Sequence, residues 1–274
     1  MTFGPVAYRP MLELGYSRPL IFGSIAAGST LGSIIPPSIP LVVLGLLTDQ
    51  PVGMLFIAGI LPGILEILLY TAAIIILIKT GVWQGPSIIT PSWKQKIRLL
   101  PGLLGPFLIF IAVLGGIYSG FFTVTEAAAV GAAVAFGILG FKKGFKLSVI
   151  LPGLHEAVRL SCVMYTILIG ADYLSRAIAT TGVNFWLVEY VSNLNLSPVL
   201  VVALILAFFL IWGLVMPELP LILLFVPLLF PIIIKMGFNG IWFCILIVVA
   251  VEAAAITPPV GINLFLMQGL FDLK

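Results

Sequence analysis

Apolar runs too long for a globular core recur from one end of this chain to the other. They extend over about Leu20 to Leu47, Met54 to Ile78, Leu99 to Tyr118, Ala127 to Phe141, Leu160 to Ile178, Val199 to Val215, Leu219 to Ile234 and Ile241 to Leu270. A membrane-crossing helix needs about 20 mostly apolar residues, so most of the chain is span and little is left for a domain outside the bilayer. Only 8% of the 274 residues are charged, against roughly 25% in soluble domains. Backbone polar groups in lipid must bond within their own segment, which makes helices the default. The expectation is an all-α polytopic membrane protein with the lipid bilayer as its first partner. The formal charge of +3 is scattered and forms no basic stripe, so no nucleic-acid partner is expected. Cys162 and Cys244 sit singly inside apolar runs, which argues against a metal site or a disulfide framework.

Lys and Arg mark the sides of the membrane. Arg9 and Arg18 precede the first run, Lys79, Lys94, Lys96 and Arg98 follow the second, and Lys142, Lys143 and Lys146 follow the fourth. By the positive-inside rule the chain starts in the cytoplasm, leaves near Asp49, returns to a basic loop at Thr80 to Ile97, repeats that path, and exits again to place Thr181 to Pro198 outside. The next two runs are either two full spans or one re-entrant hairpin, Val199 to Val215 and Leu221 to Ile234. Crossing parity fits both. Between them Met216 to Pro220, MPELP, places two prolines and Glu218 at membrane depth, which is tolerated where backbone is buried in protein or lines a cavity. That tip favours the hairpin.

The chain also repeats itself. Residues 15–37, GYSRPLIFGSIAAGSTLGSIIPP, align without gaps with residues 237–259, GFNGIWFCILIVVAVEAAAITPP, an offset of 222. Extended upstream, Phe3 meets Phe225 and Pro5 meets Pro227. With 20 prolines in the chain, chance would pair roughly 0.2 of them over this length, yet Pro5, Pro36 and Pro37 all find partners. In the topology above the two copies run in opposite senses. Inverted repeats with broken helices are a pattern of secondary transporters. Each proline pair removes amide donors in mid-span and frees carbonyls in the preceding turn, and such carbonyls can coordinate a cation. The second copy's tip and first arm, Val199 to Ile222, correspond to positions before Met1. The expectation is therefore a transporter shortened at its N-terminus, the C-terminal part of a longer protein.

These residues resemble the large membrane subunit of the tripartite ATP-independent periplasmic (TRAP) transporters, the DctM-like permeases. The resembling segments are GSIAAGSTLGSIIPPSIPLVVLGLLTDQ (23–50), LFIAGILPGIL (55–65), GGIYSGFFTVTEAAAVGA (115–132), VPLLFPI (226–232) and ITPPVGINLFLMQG (256–269), in the family's order. The resemblance implies a sodium-driven importer of small organic anions, such as C4-dicarboxylates or sialic acid, in the bacterial inner membrane. It implies two partners, a small DctQ-like membrane subunit and a periplasmic DctP-like binding protein, and no organic cofactor. It further implies a transport domain moving as an elevator. Residues 1–50 would end a first re-entrant hairpin and form the first broken helix, residues 51–198 would be mostly scaffold and connecting helices, and residues 199–274 would form the second hairpin and second broken helix. Carried onto this chain, one sodium group is Gly32, Ser33, Ile35, Pro37 and Ser38. The other is Gly213, Met216 and Glu218 with Thr257, Pro259 and Gly261. The candidate substrate contacts are Ser38, Arg176, Thr257 and Asn263. The family usually has an acidic residue directly after the tip methionine. Here Pro217 intervenes and Glu218 follows, so the second group depends on whether the shifted carboxylate turns inward.

Other polar residues have readings of their own. Thr123 and Glu126 have the spacing of a capping box. Asp172 and Arg176 are one helical turn apart; they either pair or snorkel near a membrane face, or Arg176 receives a substrate carboxylate. Glu252 lies mid-span and aligns with Thr30; an acid there is functional by default, a structural hydrogen bond being the alternative. Asn263 offers donor and acceptor beside the second break. The single histidine, His155, falls in a basic, proline-bounded loop as a surface residue. One histidine, no HExxH and no GxSxG argue against an intramembrane enzyme. A non-transporting part of a permease, needing a separate N-terminal half, is the remaining alternative.

Overall fold

The computed structural model describes residues 3–85, 92, 93, 97, 100–194, 196–258, 261 and 263. Every regular element among them is helical. In chain order these are α1 (Phe3–Glu13), α2 (Arg18–Ile34), α3 (Ile39–Thr48), α4 (Val52–Lys79), α5 (Leu100–Tyr118), α6 (Val124–Lys143), α7 (Leu147–Thr181), α8 (Val183–Asn193), α9 (Pro198–Gly213), α10 (Glu218–Lys235) and α11 (Gly240–Ile256). Six segments are long and apolar enough to cross a membrane: Arg18–Thr48, Val52–Lys79, Leu100–Tyr118, Val124–Lys142, Leu147–Leu174 and Glu218–Lys235. Large apolar side chains such as Leu61 on α4 and Phe107 on α5 face outward, as lipid allows and water disfavours. The chain is an all-α polytopic membrane protein.

It divides into two compact units, one of Met1–Ile89 with Tyr173–Lys274 and one of Thr90–Asp172. In the second unit α5 packs against α6. α5 starts as a 3-10 turn at Leu100–Leu103 and widens to π geometry over Ile111–Gly115. Gly131 of α6 lies against that widened turn, where a Cβ would come 2.7 Å from a Val113 methyl. The expected capping box starts α6: the Thr123 amide donates to Glu126 Oε2 at 2.8 Å and the Glu126 amide donates to Thr123 Oγ1 at 3.3 Å.

Several boundaries differ from the sequence reading. α7 begins at Leu147 rather than near Leu160, so His155 stands on a helix and not in a loop, although it is exposed as expected. Pro152 falls early enough that its missing amide affects only the first turns. Between Thr181 and Pro198 the chain forms α8, whose Trp186 and Tyr190 rings stack at 5.1 Å. The hairpin tip is shorter than MPELP: Glu218, Leu219 and Pro220 belong to the first turn of α10, and the non-helical link is residues 214–217. First-turn amides have no intrahelical partner, so Pro220 removes nothing there.

The first unit contains the repeat, and its geometry repeats as well. Shifted by 222, residues 18–34 of α2 become residues 240–256 of α11, the same helix bounds. The entry turns match, with Gly15 at φ 82° and Gly237 at φ 84°. The residues ending the helices match too, Ile35 at φ −80°, ψ 123° and Thr257 at φ −90°, ψ 132°. Both helices stop at the proline pair, so what the runs Leu20–Leu47 and Ile241–Leu270 show as continuous hydrophobicity is broken in the backbone.

α2 and α11 pack on each other, and α4, α9 and α10 pack around them. Buried Leu20, Ile21, Ile34, Leu55, Phe56, Phe209, Leu221 and Phe243 fill the space between. Glycines set the closest approaches. At Gly59 of α4 a Cβ would lie 2.6 Å from the Ile34 carbonyl oxygen, and at Gly213 of α9 it would lie 2.6 Å from the Ala254 Cβ. Gly59→Ala is therefore expected to push α4 off the end of α2 and to destabilise the purified protein by about 1–3 kcal/mol. Gly153→Ala, on an exposed stretch of α7 with no atom within 4 Å of the added methyl, should leave stability equal or slightly raised, since alanine is the better helix former. Thermal melting of the two variants in detergent checks both outcomes.

Candidate functional site

The site begins with two helices that stop inside an apolar layer. A helix ending at Ile34 leaves carbonyls in its last turn without amide partners, and Pro36 and Pro37 have no N–H to offer. Ser38 answers part of this: its hydroxyl donates to the Ser33 carbonyl and accepts from the Leu41 amide at 3.2 Å, which makes it the N-cap of α3. Ser38 is 2% exposed. At the second break the Thr257 amide turns back to the Ala254 carbonyl at 3.1 Å, and its hydroxyl donates to the Ala253 carbonyl at 2.5 Å. A hydroxyl whose proton is committed this way presents lone pairs to whatever approaches.

The hairpin tip meets the end of α2. The Ser33 hydroxyl donates to Glu218 Oε2 at 3.0 Å, so the carboxylate displaced by one residue does turn inward. Its place at the first position of α10 puts the negative charge at the positive end of that helix, a favourable arrangement. Glu218, Met216, Pro217 and Gly213 from the hairpin, Ser29, Thr30 and Ser33 from α2, Val251, Glu252 and Ala255 from α11, and Asn263 line one cavity of about 290 Å³. Asn263 reaches across to α2, its Nδ2 donating to Ser29 Oγ at 3.4 Å. Among the described residues, the charged side chains lining the cavity are carboxylates.

The cavity unites residues that the sequence divides between two groups: Ser33 from one, Gly213, Met216 and Glu218 from the other, and Asn263 from the expected substrate contacts. Gly32, Ile35, Pro37, Ser38, Thr257 and Gly261 belong to the breaks and do not line it. Arg176 stands on α7, exposed and away from the lining. Pro259 lies outside the described residues. Three residues were missed. Ser29 and Thr30 line the cavity, and Thr30 was legible only as the partner of Glu252 in the repeat. Glu66, a lone acid in the apolar run of α4, lies within electrostatic reach of Glu252 and of Tyr70; its mid-span position was the available signal.

Comparison with known proteins agrees with this architecture. The family described as tripartite ATP-independent periplasmic transporter, DctM component, matches residues 1–274. The C4-dicarboxylate TRAP transporter large permease protein DctM of Pseudomonas aeruginosa is 35% identical over 268 residues, covering 97% of this chain and 62% of that protein. Its counterpart in Vibrio cholerae is 30% identical, covering 100% of this chain and 65% of that protein. The sialic acid TRAP transporter large permease protein SiaM of Vibrio cholerae is 28% identical, covering 98% and 63%. The chain thus spans somewhat under two thirds of the length of these relatives. With the repeat, the paired helix breaks and the family's motifs present along its whole length, it belongs to the DctM family of TRAP transporter large permeases.

Proposed function

We propose that this chain is the permease component of a sodium-coupled TRAP transporter that imports small organic anions, C4-dicarboxylates, sialic acid or similar carboxylates, across the bacterial inner membrane. A periplasmic binding protein delivers the substrate, a small membrane subunit stands beside the permease, and no organic cofactor takes part. The observation that carries this reading is the meeting of both repeats at one oxygen-lined cavity, with Ser33 bonded to Glu218. Sodium is a hard cation that favours oxygen ligands, and the lining supplies hydroxyls, a side-chain amide and carboxylates. The carbonyl of Gly32, whose partner four residues on would be the amide that Pro36 lacks, adds a backbone oxygen at the first break. Thr257, Gly261 and Asn263 flank the second break, where substrate and ion would be held together. Arg176 would serve as an anchor for the substrate carboxylate elsewhere on the path.

One observation favours a second reading. The chain matches 62% and 65% of the two DctM relatives, and these residues by themselves would then not transport without the portion of the permease that they do not cover. The test covers both. Proteoliposomes containing this chain, the small subunit and the loaded binding protein are given labelled C4-dicarboxylate under an inward sodium gradient. Uptake at least tenfold above that under a choline gradient supports the sodium-coupled importer. Equal uptake under both gradients overturns the sodium coupling, and uptake that requires an added N-terminal portion of a relative establishes the second reading.

A sharper expectation concerns the tip. Glu218→Gln keeps the shape but removes the charge, and should raise the sodium concentration for half-maximal uptake by about tenfold, equivalent to roughly 1.4 kcal/mol of binding. His155→Ala, on the exposed surface of α7, should leave that concentration unchanged.

A further inference from the structure

A second cavity lies in the unit that holds the repeat, and it shares no lining residue with the polar one. It measures about 360 Å³ and is bordered by α8, by Leu196, and by both arms of the hairpin, α9 and α10. Every side chain lining it is Leu, Ile, Val or Phe. α8 and α9 each pack on α10, and the cavity is left among the three. On α8 the lining residues Leu187, Val191 and Leu194 follow the i, i+4, i+7 spacing of one helix face. Two lining rings, Phe208 of α9 and Phe225 of α10, meet edge to face at 4.8 Å and tie the arms together.

The lining decides the chemistry of an occupant. Water in a protein cavity needs polar partners, and none of these side chains offers one. A carboxylate or an ammonium group would be desolvated there with nothing to bond, which excludes small organic anions. Left empty, the lining forfeits its contacts on one side. Hydrocarbon remains, and the fold stands in it. Leu194 at 45% exposure and Leu204 at 54% both line the cavity and face outward, so its mouth opens on the lipid side. There it continues into the exposed Val199, Leu200 and Ile211 of α9. α8 also carries the exposed, stacked rings of Trp186 and Tyr190, residue types that sit at headgroup level in a bilayer. Its Glu189 and Asn193 are exposed as well. A short helix with an apolar face, a polar face and such rings belongs at a membrane surface, and the cavity opens beside it.

We infer that this cavity is a lipid site, which takes one acyl chain of a bilayer phospholipid whose headgroup lies along α8 beside Trp186 and Tyr190. The chain fills the gap between α8 and the hairpin. It thereby supports the two arms whose tip reaches the polar cavity at Gly213, Met216 and Glu218. The inference rests on the membrane-embedded fold and is independent of sodium coupling and of substrate identity.

For the test, the protein is reconstituted in vesicles of phosphatidylethanolamine and phosphatidylglycerol that contain a trace of phosphatidylethanolamine with a diazirine midway along one acyl chain. After illumination the labelled residues are located by peptide mass spectrometry. Labelling at Leu187, Leu204 and Leu228 is expected to exceed that at Leu61 of α4, which faces outward and lines neither cavity. Leu204→Trp places an indole in the mouth and should lower labelling at Leu187 and Leu228 by about tenfold, because it displaces several buried methylenes, while labelling at Leu61 stays the same. Leu228→Trp, from the α10 wall, replaces that variant if it does not fold, and the wild-type pattern decides if neither folds. Equal labelling at the cavity and at Leu61 overturns the site. So does enrichment that a folded tryptophan variant leaves unchanged, which would put the lipid on the outer surface of α9. Absence of label from Leu187 and Leu228 would mean that protein closes the cavity, and overturns the site as well.

Discussion

Backbone that stops being helical inside a bilayer must still bond its carbonyls and amides, and most of what is distinctive here follows from that constraint. Lipid offers no partners, so a proline pair in mid-span is stable only where protein supplies substitutes. Ser38 supplies one by donating to the Ser33 carbonyl and capping α3. Gly59 supplies space, letting α4 come against the Ile34 carbonyl. The hairpin lays its tip on the end of α2, where the Ser33 hydroxyl donates to Glu218. A polar cavity is therefore the consequence of bringing two helix ends together, and its position is set by where the prolines fall in each repeat.

The two repeats agree in backbone and differ in chemistry. α2 and α11 share bounds, entry turns and terminal dihedrals, yet Thr30 stands where the second copy has Glu252, and Ser33 where it has Ala255. The shared backbone produces a pseudosymmetric frame, and the substitutions make the cavity one-sided. Hydroxyls come from α2, and carboxylates come from α10 and α11. The Ser33–Glu218 hydrogen bond joins the copies at the point where their chemistry differs most.

Much of this was legible in the chain. The runs located the spans, the proline pairs located the breaks, and the spacing of Thr123 and Glu126 located a helix start, because each signal acts over a few neighbouring residues. The 222-residue offset foretold matching helices because repeated sequence folds by repeated local rules. What escaped was of two kinds. Helix bounds such as the early start of α7 and the presence of α8 escaped because hydrophobicity marks where lipid is, not where helix is; polar stretches such as HEAVR continue a helix without extending the run. The convergence of Ser33 with Glu218 escaped because 185 residues separate them, and no periodicity reports a contact made by packing.

The charge of the cavity bears on how an anion carrier would work. An organic anion entering a low-dielectric space bordered by Glu218 and Glu252 meets repulsion that water does not screen. The basic side chain whose geometry suits a substrate carboxylate, Arg176, does not line that space. In a sodium-coupled carrier of the kind proposed, a positive charge would arrive first and change the cavity from one that excludes carboxylates to one that tolerates them. Coupling of ion and substrate would then need no long-range signal, because the cation would alter the local field that the anion meets. Tight coupling would follow from burial, because the same desolvation that makes an uncompensated carboxylate unfavourable would make the ion-free, substrate-bound state the least populated one. In this arrangement the paired breaks build the space, and the acids facing it set the order in which it can be filled.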